Sequence, residues 1–89
     1  MATVHFTRWL AGVAPGEAVE IEGQTVGAVL EHLFAENATA RNYVLDEQGQ
    51  LRKHVCIFLD GERLAHGAAL AAPLRPQSEI YVMQALSGG

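Results

Sequence analysis

Five apolar residues, Val26, Val29, Leu30, Leu33 and Phe34, fall at i, i+3, i+4, i+7 and i+8 of one short window. That spacing draws a single apolar stripe along a helix and leaves Glu31, His32 and Glu36 on the wet side. Thr25 stands where its hydroxyl can cap the first turn, and Asn37 is placed to stop the helix. Gly27 in the first turn costs up to about 1 kcal/mol relative to alanine, so tertiary packing has to hold this helix together. A helix with one stripe needs one apolar face to lie on. Almost everything else in the chain reads as strand.

Thr3 to Trp9 alternates, with Val4 and Phe6 on one face and His5 and Thr7 on the other, a half-buried strand. Trp9 reads as core or loop packing rather than a ligand platform. Gly12, Pro15 and Gly16 punctuate a loop, and Ala18 to Glu22 alternates again, pairing with the first strand as a hairpin. Beyond the helix, Tyr43, Val44 and Leu45 read as a short packed turn closed by Asp46-Glu47-Gln48-Gly49. Leu51 to Leu59 is the strongest strand, with Val55, Ile57 and Leu59 facing one way. Asp60-Gly61 is a hairpin turn and Glu62 to Leu64 a short return strand. His66 to Leu74 is a small-residue connection leading to Pro73 and Pro76. Glu79 to Leu86 is the last strand, with Ile80 and Val82 inward and Tyr81 and Met83 outward.

Two hairpin-like pairs around one amphipathic helix make a two-layer α+β unit. With the last strand central and parallel to the first, this is the ubiquitin-like β-grasp: a mixed sheet packed on one main helix. The expected division is a domain over residues 1–86 and a flexible reactive tail over residues 87–89. A chain of 89 residues supports one such domain.

Charge and cysteine usage narrow the function classes. The formal net charge is −4, and no stretch is more basic than Arg52-Lys53, so a nucleic-acid footprint is not expected. Cys56 is the single cysteine, which excludes an intrachain disulfide and a cysteine zinc cluster. His54 and Cys56 at i and i+2 are too few to hold a metal, and His5, His32 and His66 are scattered. The N-terminus lacks a signal-peptide pattern and no window is long enough for a membrane span, so the cytoplasm is the expected compartment. No phosphate loop, nucleophile elbow or Cys/His/Asp arrangement is evident, so catalytic residues are not expected on this chain. Cys56, Phe58, Tyr81 and Met83 should share the strand face opposite the helix. An apolar patch there reads as a partner surface, with Met and aromatic side chains as adaptable contacts.

Gly88-Gly89 follows the last strand. An unbranched Gly-Gly can enter a narrow channel, since it lacks Cβ atoms and tolerates any φ/ψ. A terminal carboxylate delivered that way is a poor acyl donor until its oxygen becomes a leaving group. Adenylation by ATP achieves this, and a sulfur nucleophile can then replace AMP. The strand order, the Thr25-Val26 helix start, Val29-Leu30-x-x-Leu33 and the closing Leu86-Ser87-Gly88-Gly89 together resemble the ThiS/MoaD ubiquitin-like sulfur carriers over essentially the whole chain.

That resemblance implies a carrier rather than an enzyme. Gly89 would be adenylated by a ubiquitin-activating-type enzyme, converted to a thiocarboxylate, and its sulfur passed to a sulfur-accepting biosynthetic enzyme. Ser87 and Gly88 would thread the tail, and Phe58, Tyr81, Met83 and Leu86 would dock the partner. ATP and Mg2+ would belong to the activating partner, with no cofactor held by this chain. The ending lacks the two prolines of the Pro-Pro-Val-x-Gly-Gly type found in molybdopterin synthase small subunits. Arg52 to Leu59 is closer to the carriers of cysteine synthesis such as CysO. The small subunit of molybdopterin synthase and a ubiquitin-like modifier that joins Gly89 to lysines are the alternatives.

Overall fold

A computed structural model describes residues 1–6 and 18–84. Trp9, the loop at Gly12, Pro15 and Gly16, and Leu86, Ser87, Gly88 and Gly89 lie outside the described residues.

The predicted stripe becomes helix α1 (Val26–Phe34), and all five of its residues are buried. Each contributes roughly 1.5–3 kcal/mol of gross transfer energy, so packing outweighs the cost of Gly27. The Thr25 hydroxyl accepts the Ala28 N–H at 3.1 Å, the expected cap. Gly27 has a reason of its own. A Cβ there would stand 2.9 Å from the Leu70 carbonyl oxygen and 3.3 Å from the Leu70 Cβ. Glycine thus lets the 3-10 helix His66–Ala71 lie against the first turn of α1. The Val26 N–H to Ala72 O bond (3.0 Å) and the Leu74 N–H to Gln24 O bond (3.0 Å) stitch the same junction.

Five strands form one sheet in the order β2-β1-β5-β3-β4. They are β1 (Ala2–Phe6), β2 (Val19–Ile21), β3 (Val55–Leu59), β4 (Glu62–Arg63) and β5 (Glu79–Gln84). β1 pairs antiparallel with β2 and parallel with β5, while β5 pairs antiparallel with β3. Val4, Val55, Ile57, Ile80 and Val82 are buried and face the helix layer. Asp60 (φ 50°) and Gly61 (φ 89°) both take positive φ, the requirement of the tight hairpin turn between β3 and β4. Asp60 also clamps the start of β5. Its N–H donates to Glu79 O at 2.9 Å, and its carboxylate accepts the Glu79 N–H at 2.8 Å.

Two local expectations are corrected. Residues read as a packed turn belong to a second helix, α2 (Ala38–Val44), which buries only Ala40 and Val44. Its seven residues carry too little apolar periodicity to announce a helix, and its support is tertiary: the Asn37 amide donates to Leu33 O at 3.0 Å, and Arg41 pairs with Glu31 at 3.2 Å. β3 begins at Val55 rather than Leu51. Leu51 is buried in an isolated bridge to Leu45, and the Val55 N–H to Arg52 O bond closes a turn between them. The alternating pattern ran through that turn because buried residues stand on both sides of it.

Gly27→Ala separates the two readings of this glycine. Helix propensity alone predicts stabilisation by about 1 kcal/mol. The contact with Leu70 predicts destabilisation of about 1–3 kcal/mol, read as a lower urea midpoint. A raised midpoint would show that the 3-10 helix withdraws without cost.

Candidate functional site

Directly paired residues on neighbouring strands share a face, so the register fixes what the sheet shows on the side away from α1. His5 stands opposite Tyr81, Tyr81 opposite Phe58, and Phe58 opposite Arg63. One row therefore crosses four strands. Beside it, Met83 is paired with Cys56, and Thr3 with Glu79. Cys56, Phe58, Tyr81 and Met83, expected to lie together, form two adjacent cross-strand pairs.

Their exposure differs. Tyr81 is 39% exposed, Phe58 and Met83 are half-buried, and Cys56 is buried. The Tyr81 ring is held in place. The His5 imidazole stacks on it with ring centroids 4.2 Å apart and planes 6° from parallel. His5 Nε2 lies 3.0 Å from Glu79 Oε1, so the carboxylate orients the imidazole from the next row. An aromatic pair of this kind adds about 0.5–1.5 kcal/mol beyond its burial. The result is an aromatic strip with a fixed ring at its centre, Met83 beside it and the Arg63 cation at one end. Alternation puts His5, Glu79 and Tyr81 on the outer face, but it does not bring His5 against Tyr81 or Arg63 against Phe58. That knowledge requires the β1·β5 and β3·β4 registers, which alternation alone does not supply.

The outer face also leads toward the tail. Gln84, the last described residue of β5, is paired with Val55 at the start of β3. Leu86, Ser87, Gly88 and Gly89 follow within five residues of Gln84. Among the described residues, no group of three or more His, Cys, Asp or Glu side chains comes together as a metal-binding set. No helix among them is long and apolar enough to cross a membrane.

A C-terminal strand set between a parallel and an antiparallel neighbour, with one main helix across the sheet, defines a ubiquitin-like β-grasp protein. The ThiS family model matches residues 4–89, and the chain belongs to that family. SAMP1 from Haloferax volcanii is similar in structure, with a TM-score of 0.76 and 25% identity over 99% of this chain and 98% of that one. Mycobacterium tuberculosis CysO superposes with a TM-score of 0.83 at 24% identity, covering 97% of this chain and 100% of its own. A chain of the Amycolatopsis orientalis BexX/CysO complex gives 0.84 at 21% identity, with 100% of both chains covered. A search of curated proteins finds no match.

The alternation of faces makes neighbouring residues of β5 behave differently. Ile80→Ala empties a fully buried site and should cost about 2–5 kcal/mol. Tyr81→Ala, one residue on, should cost less, because a ring 39% exposed keeps much of its surface in water, and its stacking adds only about 0.5–1.5 kcal/mol to the burial it loses. Urea denaturation of the two variants measures the difference, and equal losses would place Tyr81 in the core.

Proposed function

We propose that this chain is a sulfur carrier whose Gly89 carboxylate is the group that partner enzymes activate. The observation that carries the reading is the ThiS family match, which runs through residue 89 and so includes Gly88-Gly89. In the first step the carboxylate attacks the α-phosphorus of ATP on a ubiquitin-activating-type enzyme, releasing pyrophosphate and leaving an acyl-adenylate. A sulfur nucleophile then adds to the acyl carbon and expels AMP, and the thiocarboxylate formed is ionised at neutral pH. Its sulfur is donated to a biosynthetic acceptor, in a cysteine-type or other sulfur-metabolite pathway, and hydrolysis restores the carboxylate. The chain serves as cosubstrate, while ATP, Mg2+ and orientation come from the partner.

The outer sheet face suits the recognition half of this task. Phe58, Tyr81 and Met83 offer an aromatic and thioether surface of the kind enriched at protein contacts. Five residues of chain reach at most about 18 Å, so a partner seated on Met83 and Leu86 can hold Gly89 in its own active site. Ser87 and Gly88 would occupy the channel between, where the missing Cβ of Gly88 relieves crowding. The Amycolatopsis relative was solved in complex with BexX, which fits a protein of this shape engaging a protein partner.

A second reading has a specific observation behind it. The Haloferax relative is a small archaeal modifier protein. In a modifier, the activated Gly89 meets a lysine amine instead of sulfur and an amide forms. The small subunit of molybdopterin synthase is a third destination for the same thiocarboxylate, and the missing prolines in the tail weigh against it.

Intact-mass measurement of the protein from its own cells separates these outcomes. Exchange of one carboxylate oxygen for sulfur, about 16 Da heavier, is expected for the carrier. Lysine-linked adducts would establish the modifier instead. Deletion of Gly89 should abolish sulfur loading while leaving the urea midpoint unchanged, because the described core is built from Ala2 to Val82. Sulfur loading of the truncated chain would refute the assignment of Gly89. Met83→Asp should weaken capture by the activating enzyme at least about tenfold, a loss of roughly 1.4 kcal/mol. Undiminished capture would place recognition on another face.

A further inference from the structure

Beside the start of β3 lies a second feature, which shares Arg63 with the aromatic row. A cavity of about 200 Å³ has an apolar floor of Leu51, Val55, Ile57 and Leu64. Lys53, Arg63 and His66 stand around it, with Cys56 on its wall. Drug-sized ligands occupy clefts of about 300–1,000 Å³, so this one is small for a metabolite. It is several times the roughly 30 Å³ share of a water molecule, room enough for an aliphatic side chain.

His66 Nε2 is 2.9 Å from Arg52 O, but the two cations beside it are uncommitted among the described residues. Elsewhere, Arg41 is paired with Glu31 and Arg75 with Asp60. Arg52 donates to Asn42 O at 2.7 Å. It also faces Asp46, whose carboxyl is held below its ordinary value, first by the Gln50 backbone N–H and in part by Arg52. Lys53 and Arg63 are exposed, and neither has a carboxylate within ion-pair reach among the described residues. A chain of net charge −4 thus keeps two cations, unpaired among the described residues, beside one partly apolar cavity. The cavity also adjoins both functional features. Arg63 ends the aromatic row opposite Phe58, and Val55 is paired with Gln84, where β5 leads toward the tail.

We propose that this groove takes an acidic, aliphatic segment of the protein that receives the tail. One Leu or Ile side chain fills the floor, and flanking carboxylates meet Lys53 and Arg63. The proposal rests on the reading that a partner protein engages this end of the sheet. Two cations on an acidic chain are too few for a phosphate backbone, whose binding recruits many. The cavity is lined by no Phe, Tyr or Trp on which successive bases could stack. Electrostatic complementarity here would speed encounter and set orientation more than it adds affinity.

Titration of the full 15N-labelled chain with the peptide acetyl-EDLIDE-amide tests the groove directly. Amide shifts are expected at Val55, Cys56, Leu64 and His66, with a Kd on the order of 1 mM, as suits an isolated short segment. Lys53→Glu combined with Arg63→Glu should weaken binding at least about tenfold. Both sites are exposed, and retained dispersion of the other amide signals checks the fold. Lys53→Gln with Arg63→Gln should give an intermediate loss. Salt near 1 M, where the screening length is about 3 Å, should weaken binding as well. Absence of these shifts would overturn the proposal, as would equal shifts with acetyl-KKLIKK-amide or with oligouridylate, or indifference to the charge reversal. None of these readouts depends on whether Gly89 is ever loaded with sulfur. Failure of the groove and failure of the carrier reading are therefore separately visible.

Discussion

The pairing of β5 between β1 and β3 is the constraint on which the rest of the structure depends. β5 comes last among the described elements, yet it is the central strand, so the sheet is complete only when it enters. Ile80 and Val82 point toward α1 and are fully buried, while Tyr81 and Met83 point outward. A slip of one residue would exchange these pairs, putting a phenol and a thioether under the helix and two aliphatic chains into water. The double hydrogen bond between Asp60 and Glu79 stands against that slip at the strand's start. Fold and surface chemistry are thus set by the same register.

That register also fixes where the described part of the last strand ends. Gln84, the last described residue, is held opposite Val55, next to the Met83–Cys56 pair. A carrier has to be recognised by one surface and to react through another. The nearer the reactive end stands to the recognised face, the less chain has to be ordered when both are engaged, at roughly 1–2 kcal/mol per residue fixed. Gly89 follows Gln84 by five residues, so ordering all of them would cost roughly 5–10 kcal/mol, which a docked partner would have to offset.

Much of this was legible in the residues. The α1 stripe, its Thr25 cap, the Asp60-Gly61 turn and the inward and outward sides of β5 are all local patterns, and each is where the sequence predicts. What escaped prediction was set by distant partners. α2 has only Ala40 and Val44 to bury and leans on Leu33 and Glu31 from the preceding helix. Gly27 looked like a weakness of the helix because nothing local shows Leu70 arriving against it. The stacking of His5 on Tyr81 likewise depends on a register between strands far apart in the chain, and the convergence of Lys53, Arg63 and His66 on how the β3–β4 hairpin and the segment after it close around one cavity. Face was readable, but neighbourhood was not.

The chemistry proposed for Gly89 would require recognition by some other part of the chain. An acyl-adenylate is activated toward any nucleophile, including water, so its usefulness depends on which group reaches it first. Carrier and modifier share that activation and differ only in what the partner presents, a sulfur or an amine. Nothing in Gly-Gly can make the choice, since it has no side chain with which to discriminate. Selection must therefore come from residues that determine which protein holds the tail. The aromatic row and the cation-edged groove adjoin on one sheet and share Arg63. Two such contacts can distinguish partners that a single apolar patch would accept alike.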